Sequence, residues 1–122
     1  MPKAKTPQEW FDTVEPDMAP LALALKSELN EAGPGLSVKL AWGFPCWSGN
    51  ERIFSIIAHA EHCNLQLWSG NRLAGSFPDR VEGTGKQLRH VKVRALDEID
   101  DELLSIIAKA IELDQTAPEK VR

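Results

Sequence analysis

The hydrophobic pattern of this sequence changes its period twice, and these changes constrain the fold more than any other feature. Between residues 18 and 29, apolar side chains recur at steps of three and four, which is the spacing of one helix face. From Val38 the spacing falls to two, as on a half-buried strand. After Asp97 the helical spacing returns and continues to Ile111. Helices at both ends of a block of strands predict an α+β domain.

Short segments rich in glycine, asparagine, serine or proline divide the middle of the chain into about five predicted strands. Strands joined by such short turns pair in the antiparallel sense, so the sequence predicts an antiparallel meander sheet. Residues 71–88 are the least regular stretch and are expected to form a loop with one helical turn. The predicted turns are residues 43–45, 48–51, 60–62 and 69–71, and the last strand is predicted at residues 89–94.

The flanking segments carry clear signals for helices. Residues 6–9 read as a capping box, with Pro7 at the first helical position, where its missing N–H costs nothing. Pro16 is expected to end this helix, and a second helix is expected to follow as far as Gly33. The last helix is expected to begin among the acidic residues 97–100, which suit the positive end of a helix dipole. We expect the helices from both ends to pack on one face of the sheet.

Length and composition fit one domain. With 122 residues, of which 43% are hydrophobic and 26% charged, the chain is long enough to bury one core. We therefore expect a single domain over residues 1–122. The segments 1–5 and 116–122 are expected to be flexible ends.

The charge of the chain bears on its partners and location. A formal net charge of −4 argues against nucleic acid, because phosphate binding needs a basic surface. The charge is uneven, since residues 34–96 carry eight Lys and Arg against four Asp and Glu, whereas both flanks are acidic. No apolar run approaches the roughly 18 residues that span a bilayer, and the start lacks the apolar core of a signal peptide. We expect a cytoplasmic protein with no membrane and no nucleic-acid partner.

The two cysteines, Cys46 and Cys63, stand outside any CxxC pair. Two isolated cysteines in a chain with a sufficient core do not indicate a disulfide framework. We expect both thiols to be reduced and neither to be catalytic.

A basic cluster follows a glycine-rich loop and is the strongest candidate for a binding site. Gly83 and Gly85 precede Lys86, but Gln87 follows it, so the loop is not a phosphate-binding P-loop. Glycines nevertheless allow backbone N–H groups to approach an anion. Arg89 falls on the side of Val91 and Val93 by strand alternation. Its two alternative roles are a salt bridge to an acidic helix residue and ligand binding. The predicted ligand-binding residues are Trp42, Gly83, Gly85, Lys86 and Arg89.

Other polar clusters are better explained without a ligand. Residues 59–63 include two His, one Glu and one Cys, but they lie on a predicted turn, where the side chains need not converge on a metal. The acidic residues 97–102 are explained by helix capping and solvation. No catalytic triad, zinc-protease motif, Rossmann glycine pattern or calcium loop is present in the sequence. We predict no catalytic residues, no metal site and no cofactor.

Several of these segments, in this order, resemble the YdhG-like family of domains of unknown function. The resemblance covers about residues 7–115 and rests on Trp42–Pro45, Ile53–His59, Glu82–Lys86 and Arg89–Val93, followed by the acidic start of the last helix. It implies a fold similar to the YjbR and CyaY, or frataxin-like, group, with an antiparallel sheet and helices from both termini. Some members are described as frataxin-like iron chaperones, which implies iron held by acidic surface residues.

The resemblance leaves three hypotheses about function. The first is a non-enzymatic binding module for an anionic small molecule or an acidic segment of a partner protein. The second is frataxin-like iron binding, although the acids of the first helices, Glu9, Asp12, Glu15 and Asp17, are more scattered than a frataxin acidic ridge. The third is an enzyme of unknown reaction, for which no nucleophile–base pair is visible.

Overall fold

The structure, a computed structural model, describes residues 3–121 and contains three α-helices and six β-strands in that part of the chain. The α+β architecture predicted from the sequence is confirmed. The helices are α1 (Pro7–Thr13), α2 (Ala19–Ala32) and α3 (Asp101–Thr116). The strands are β1 (Ser37–Ala41), β2 (Phe44–Ser48), β3 (Arg52–Ala58), β4 (Cys63–Leu67), β5 (Val81–Glu82) and β6 (Arg89–Val93).

Two of the helix starts have side-chain caps. The Thr6 Oγ1 accepts a hydrogen bond from the Glu9 backbone N–H at 3.1 Å. The Asp100 Oδ1 accepts one from the Leu103 N–H at 3.0 Å. Both contacts satisfy N–H groups that have no partner inside the first turn of a helix. The Glu9 carboxylate accepts from the Lys5 N–H at 3.2 Å, one residue earlier than in the predicted capping box.

The six strands form one antiparallel sheet in the order β1-β2-β3-β4-β6-β5. The first four strands make the predicted meander, but β6 pairs with β4, and β5 lies outside β6. The prediction of about five strands missed β5, which is only two residues long and lies in the stretch predicted as a loop. Buried Val81 pairs with Val91, but Pro78 and Gly83 flank the short strand and hide its pattern in the sequence.

One face of the sheet, the covered face, carries the core. A continuous row of paired residues crosses this face from Val38 through Trp47, Phe54 and Leu67 to Arg89. The Trp47 Nε1 donates to the Asn30 Oδ1 of α2 at 2.8 Å, which satisfies its polar atom inside the core. From α3, the same core receives Leu103, Ile106, Ile107 and Ile111.

The helix α1 lies at one edge of the sheet, where it contacts β1 and β2. The Trp10 ring meets the Phe11 ring edge-on at 5.0 Å and the Phe44 ring at 6.3 Å. The prediction that all the helices pack on one face therefore describes α2 and α3 better than α1. The break before Pro16 separates α1 from α2 and allows the two helices to take different positions.

A buried carboxylate joins α3 to the turn between β2 and β3. The Asp114 carboxylate accepts hydrogen bonds from the Asn50 N–H at 2.7 Å and the Glu51 N–H at 2.8 Å. The Asn50 side-chain amide donates to the Asp114 carbonyl at 2.9 Å. A Cβ at Gly49 would collide with this carboxylate, so the turn needs glycine at that position.

The two cysteines are buried on opposite faces of the sheet and are both free thiols, as predicted. Cys46 pairs with Ser55, and Cys63 pairs with Ala58. Residues 55 and 58 of one strand face opposite sides, so the two sulfur atoms cannot meet. Burial raises the pKa of the Cys63 thiol to about 11, which leaves little thiolate at neutral pH.

Candidate ligand-binding site

The glycine-rich loop between β5 and β6 takes its shape from its own contacts. The Arg89 Nε donates to the Gly85 carbonyl at 2.7 Å and closes the loop. Gly83 has a φ of 111°, which is strained for residues with a side chain. A Cβ at Gly85 would lie 2.7 Å from the Leu88 carbonyl oxygen. The glycines predicted to approach a ligand are therefore both needed by the conformation of the loop.

Arg89 ends the row of residues on the covered face, because it pairs with Leu67 and alternates with buried Val91. This placement was predicted by strand alternation. Its side chain makes no ion pair with an acid among residues 3–121, so a salt bridge to a helix is not its role there. Its terminal Nη groups also have no protein hydrogen bond in this part of the chain. Lys86, in the same loop, is exposed.

Arg80 makes the salt bridge to a helix that was considered for Arg89. Its Nη1 lies 2.9 Å from Asp100 and 3.4 Å from Glu102, and its Nη2 donates to the Glu98 carbonyl at 2.9 Å. Burial disfavours the charge of Arg80, but the contacts with Asp100 and Glu102 outweigh it and raise the pKa. The acidic start of α3 gave a signal for such a partner, but the sequence did not show which arginine reaches it.

A carboxylate of the chain itself lies beside the glycine-rich loop. The Arg72 Nε lies 3.5 Å from the Glu119 carboxylate, and the Gln87 Nε2 donates to the same carboxylate at 3.4 Å. The loop is also held next to this arginine, because the N–H of Asn71, the residue before Arg72, donates to the Gln87 carbonyl at 3.0 Å. We call the group formed by Arg72, Lys86, Gln87 and Arg89 the basic corner.

The segment that follows α3 crosses the basic corner. The Gln87 side chain donates to the Lys120 carbonyl at 2.8 Å, and the Val121 N–H donates to Glu51 at 3.0 Å. The flexibility predicted for residues 116–122 stays a prediction. The contacts show only where residues 117–121 lie, and Arg122 is outside the described residues.

A small cleft of about 30 Å³, partly open to solvent, opens next to the basic corner. Apolar side chains from β3, β4 and α3 line its floor, while Arg52, Arg72 and Glu119 stand at its rim. The acidic side chains of Glu51 and Asp114 also border it, but backbone N–H groups of the chain occupy their carboxylates. The apolar floor residues are Ile53, Leu67, Leu73 and Leu113.

Trp42 lies on the face of the sheet opposite the covered face, which we call the open face. Its ring meets the Trp68 ring edge-on at 4.7 Å. The Trp68 Nε1 donates to the Ser55 Oγ at 3.0 Å, and this serine faces away from the core of α2 and α3. The described contacts bring Gly83, Gly85 and Arg89 together, but none of them joins Trp42 to Lys86 or Arg89.

The three histidines of the chain gather near one end of the open face, a feature that the sequence analysis missed. The His59 and His62 rings stack at 4.7 Å. Burial lowers the pKa of His62, and the nearby charges of His59, Lys92, Arg94 and His90 lower it further. The alternation of His90, Lys92 and Arg94 along β6 was the available signal.

Iron binding gains no site from this geometry. Within residues 3–121, no group of three or more His, Cys, Asp and Glu side chains is arranged to hold a metal ion. At the start of α3, the Leu103 N–H and Arg80 bind Asp100 and lower the pKa of its carboxyl, in agreement with the capping explanation.

None of the helices in the described part of the chain has the length and apolar character needed to cross a membrane.

The fold and the site define an antiparallel α+β domain with a basic corner and a helix-free sheet face. The chain belongs to the DUF5655 family, a domain of unknown function that matches residues 8–114. In fold it is similar to the crystal structure of a DUF1801-family protein, YdhG from Bacillus subtilis, with a TM-score of 0.68 and 11% identity over 94% of this chain and 96% of that one. No curated protein matches the chain. The YdhG-like fold is thus confirmed, while the wider frataxin-like grouping stays a prediction.

Proposed function

We propose that this domain is a non-enzymatic binding module that holds an anionic small molecule or an acidic segment of a partner at the basic corner. The observation that supports this most is the contact of Arg72 and Gln87 with the Glu119 carboxylate. A carboxylate from the chain's own tail occupies the position that an incoming anion would take. Arg89 and Lys86 add two positive charges that are not neutralised by ion pairs among residues 3–121.

The cleft beside the corner indicates the kind of ligand. An apolar floor bordered by Arg52 and Arg72 favours a ligand that places a small apolar group against the floor and an anionic group beside the arginines. The planar guanidinium of arginine matches the geometry of a carboxylate or phosphate. An acidic peptide segment satisfies the same requirements, as the segment around Glu119 illustrates. No observation in the described residues favours iron over such an anion.

The test is the thermal stability of the protein in the presence of citrate or inorganic phosphate. A ligand that binds only the folded state raises the melting temperature in a concentration-dependent way. Arg89→Met and Lys86→Met are expected to fold, because neither side chain is in an ion pair, and to lose most of this rise. Arg80→Met is the matched control, because it removes an arginine bound to acids outside the corner. It is expected to lower the melting temperature but to keep the response to anions.

Removal of the internal carboxylate gives the opposite expectation. In Glu119→Gln the competing charge disappears, so citrate is expected to bind more tightly than to the unchanged protein. Glu112→Gln, an exposed change on α3, serves as the control. An unchanged protein that responds to neither citrate nor phosphate, together with a Glu119→Gln variant that also fails to respond, would refute the proposal.

A further inference from the structure

The open face of the sheet carries a row of polar and charged residues across all six strands. The paired residues run from Lys39 through Cys46, Ser55, Gln66 and His90 to Glu82. α2 and α3 lie on the other side. The ends of the row, Lys39 and Glu82, are exposed, whereas Cys46, Ser55 and Gln66 in its middle are buried.

A tryptophan is held on this face at a cost in stability. Trp42 is 64% exposed and has a φ of 55°, in the left-handed region that favours glycine and asparagine. It forms a two-residue hairpin turn with Gly43, and asparagine is the usual residue at its position in such turns. Neither burial nor turn geometry explains tryptophan there. An exposed ring supported by Trp68 is, however, a suitable surface for stacking a planar ligand.

Two amides on the open face have unused hydrogen-bonding capacity. The Asn64 Oδ1 is buried without a partner, and its Nδ2 has only a 3.5 Å contact with the His59 ring. Gln66 is 9% exposed and makes no side-chain hydrogen bond within residues 3–121. The Gln66 amide, which keeps some exposure, offers a donor beside an acceptor, the pattern that pairs with the edge of a nucleobase, whereas the Asn64 Oδ1 is enclosed by the protein.

Positive charges surround these groups. The Arg52 guanidinium lies 5.1 Å from the centre of the Trp68 ring, and Lys92 pairs across the sheet with Asn64. Lys39 stands in the row described above. Arg94 is nearby but is bound to Glu98 at 3.7 Å. The chain's net charge of −4 arises largely from acids in the segments that include the helices, so it does not describe this face.

We propose that the open face binds single-stranded nucleic acid, with a base stacked on Trp42 and phosphates near Lys39, Arg52 and Lys92. Unpaired bases expose both their flat faces and their edges, so they can use the Trp42 ring and the Gln66 amide together. A duplex hides the base faces, and an acidic peptide has no need of the exposed ring. This proposal departs from the expectation of no nucleic-acid partner, which rested on average charge alone.

The experiment measures fluorescence anisotropy of labelled 15-nucleotide poly-dT and poly-rU, with a 15-base-pair DNA duplex for comparison. The unchanged protein is expected to bind the single strands more tightly than the duplex, and more weakly as salt increases. Trp42→Ala is expected to weaken single-strand binding about tenfold, in line with the loss of one stacked base. Lys92→Met is expected to reduce the slope of log affinity against log salt by about one.

Matched controls separate this proposal from the anion site. Leu96→Ala removes another exposed apolar side chain, and Lys109→Met removes a lysine from α3, so both are expected to bind oligonucleotides normally. Lys86→Met is expected to lose the response to citrate but to keep oligonucleotide binding. Trp42→Asn is expected to lose binding as Trp42→Ala does. Because asparagine suits the conformation of this turn, that loss would not be caused by a folding defect.

Three results would overturn the proposal. The first is no binding of either single strand at low salt. The second is equal binding of single strand and duplex that Trp42→Ala does not change, which would indicate attraction by charge alone. The third is binding to vesicles containing phosphatidylserine without binding to oligonucleotides, which would indicate a membrane surface as the partner.

Discussion

The two faces of the sheet contain tryptophans in contrasting environments. On the covered face, Trp47 is fully buried and its Nε1 is bound to Asn30 of α2. On the open face, Trp42 is mostly exposed, lies in a strained turn and rests on Trp68. Unmet amide groups occur on the second face, near Asn64. The covered face therefore holds the larger hydrophobic core, whereas the open face combines a smaller buried group around Trp68 with an exposed tryptophan available for recognition.

The sharpest test of this contrast is a pair of truncations in neighbouring strands. Leu65→Ala removes a side chain buried against the helices and is expected to lower the free energy of unfolding by about 2–5 kcal/mol. Ile57→Ala, on the half-buried open face, is expected to cost less than about 1.5 kcal/mol. Urea denaturation measures both changes. Equal losses would show that the open face also belongs to the core.

The second prediction concerns the turn between β2 and β3, which Asp114 of α3 holds in place. Asp114→Ala leaves the N–H groups of Asn50 and Glu51 without their acceptor. The expected loss of unfolding free energy is about 1–3 kcal/mol. Glu112→Ala, two residues earlier and exposed, is expected to change it by less than about 0.5 kcal/mol. A similar small effect for both changes, measured by urea denaturation, would mean that water replaces the buried carboxylate.

The third prediction compares tryptophans directly. Trp42→Asn relieves backbone strain but removes the contact with Trp68, so the net change in unfolding free energy is expected to stay within about 1 kcal/mol. Trp47→Ala is expected to cost about 3–5 kcal/mol. Thermal melts followed by circular dichroism provide the comparison. A large loss for Trp42→Asn would make this tryptophan a structural residue and remove the contrast between the faces.

The smallest expected effect is a pH dependence from the open face. The pKa of His62 is lowered in the folded protein, first by burial and then by His59, Lys92 and other nearby cations. The unfolded chain then binds more protons below pH 6.5, so protonation of His62 favours unfolding. Stability is expected to fall slightly as the pH decreases from 7.5 to 5.5. In His62→Gln this decrease is expected to be smaller, whereas an identical melting profile would contradict the assignment.

The sequence predicted those parts of the fold that depend on neighbouring residues. The caps at Thr6 and Asp100 and the first four strands follow from local spacing, and they formed as expected. β5 could not be predicted, because its two residues become a strand only through pairing with β6. The alternation of β6 also placed Arg89 on the covered face correctly.

The candidate site was less predictable because its contacts join distant segments. Nothing local distinguishes Arg80, which binds Asp100, from Arg89, which binds the carbonyl of its own loop. The meeting of Arg72 with Glu119 depends on where the chain runs after α3. Trp42 was predicted to share a site with Lys86 and Arg89, but the strand register and its contact with Trp68 place it on the other face from Arg89.

The bond between Asn50 and Asp114 has a consequence for how the chain folds during synthesis. The two residues are 64 positions apart, so the turn between β2 and β3 lacks its acceptor until α3 has left the ribosome. Contacts of such separation slow folding, because a long loop must close before they form. A nascent chain that carries α2 and the strands but not α3 exposes the part of the apolar covered face that α3 protects. We therefore expect the domain to fold largely after α3 is released, and to need protection from aggregation until then.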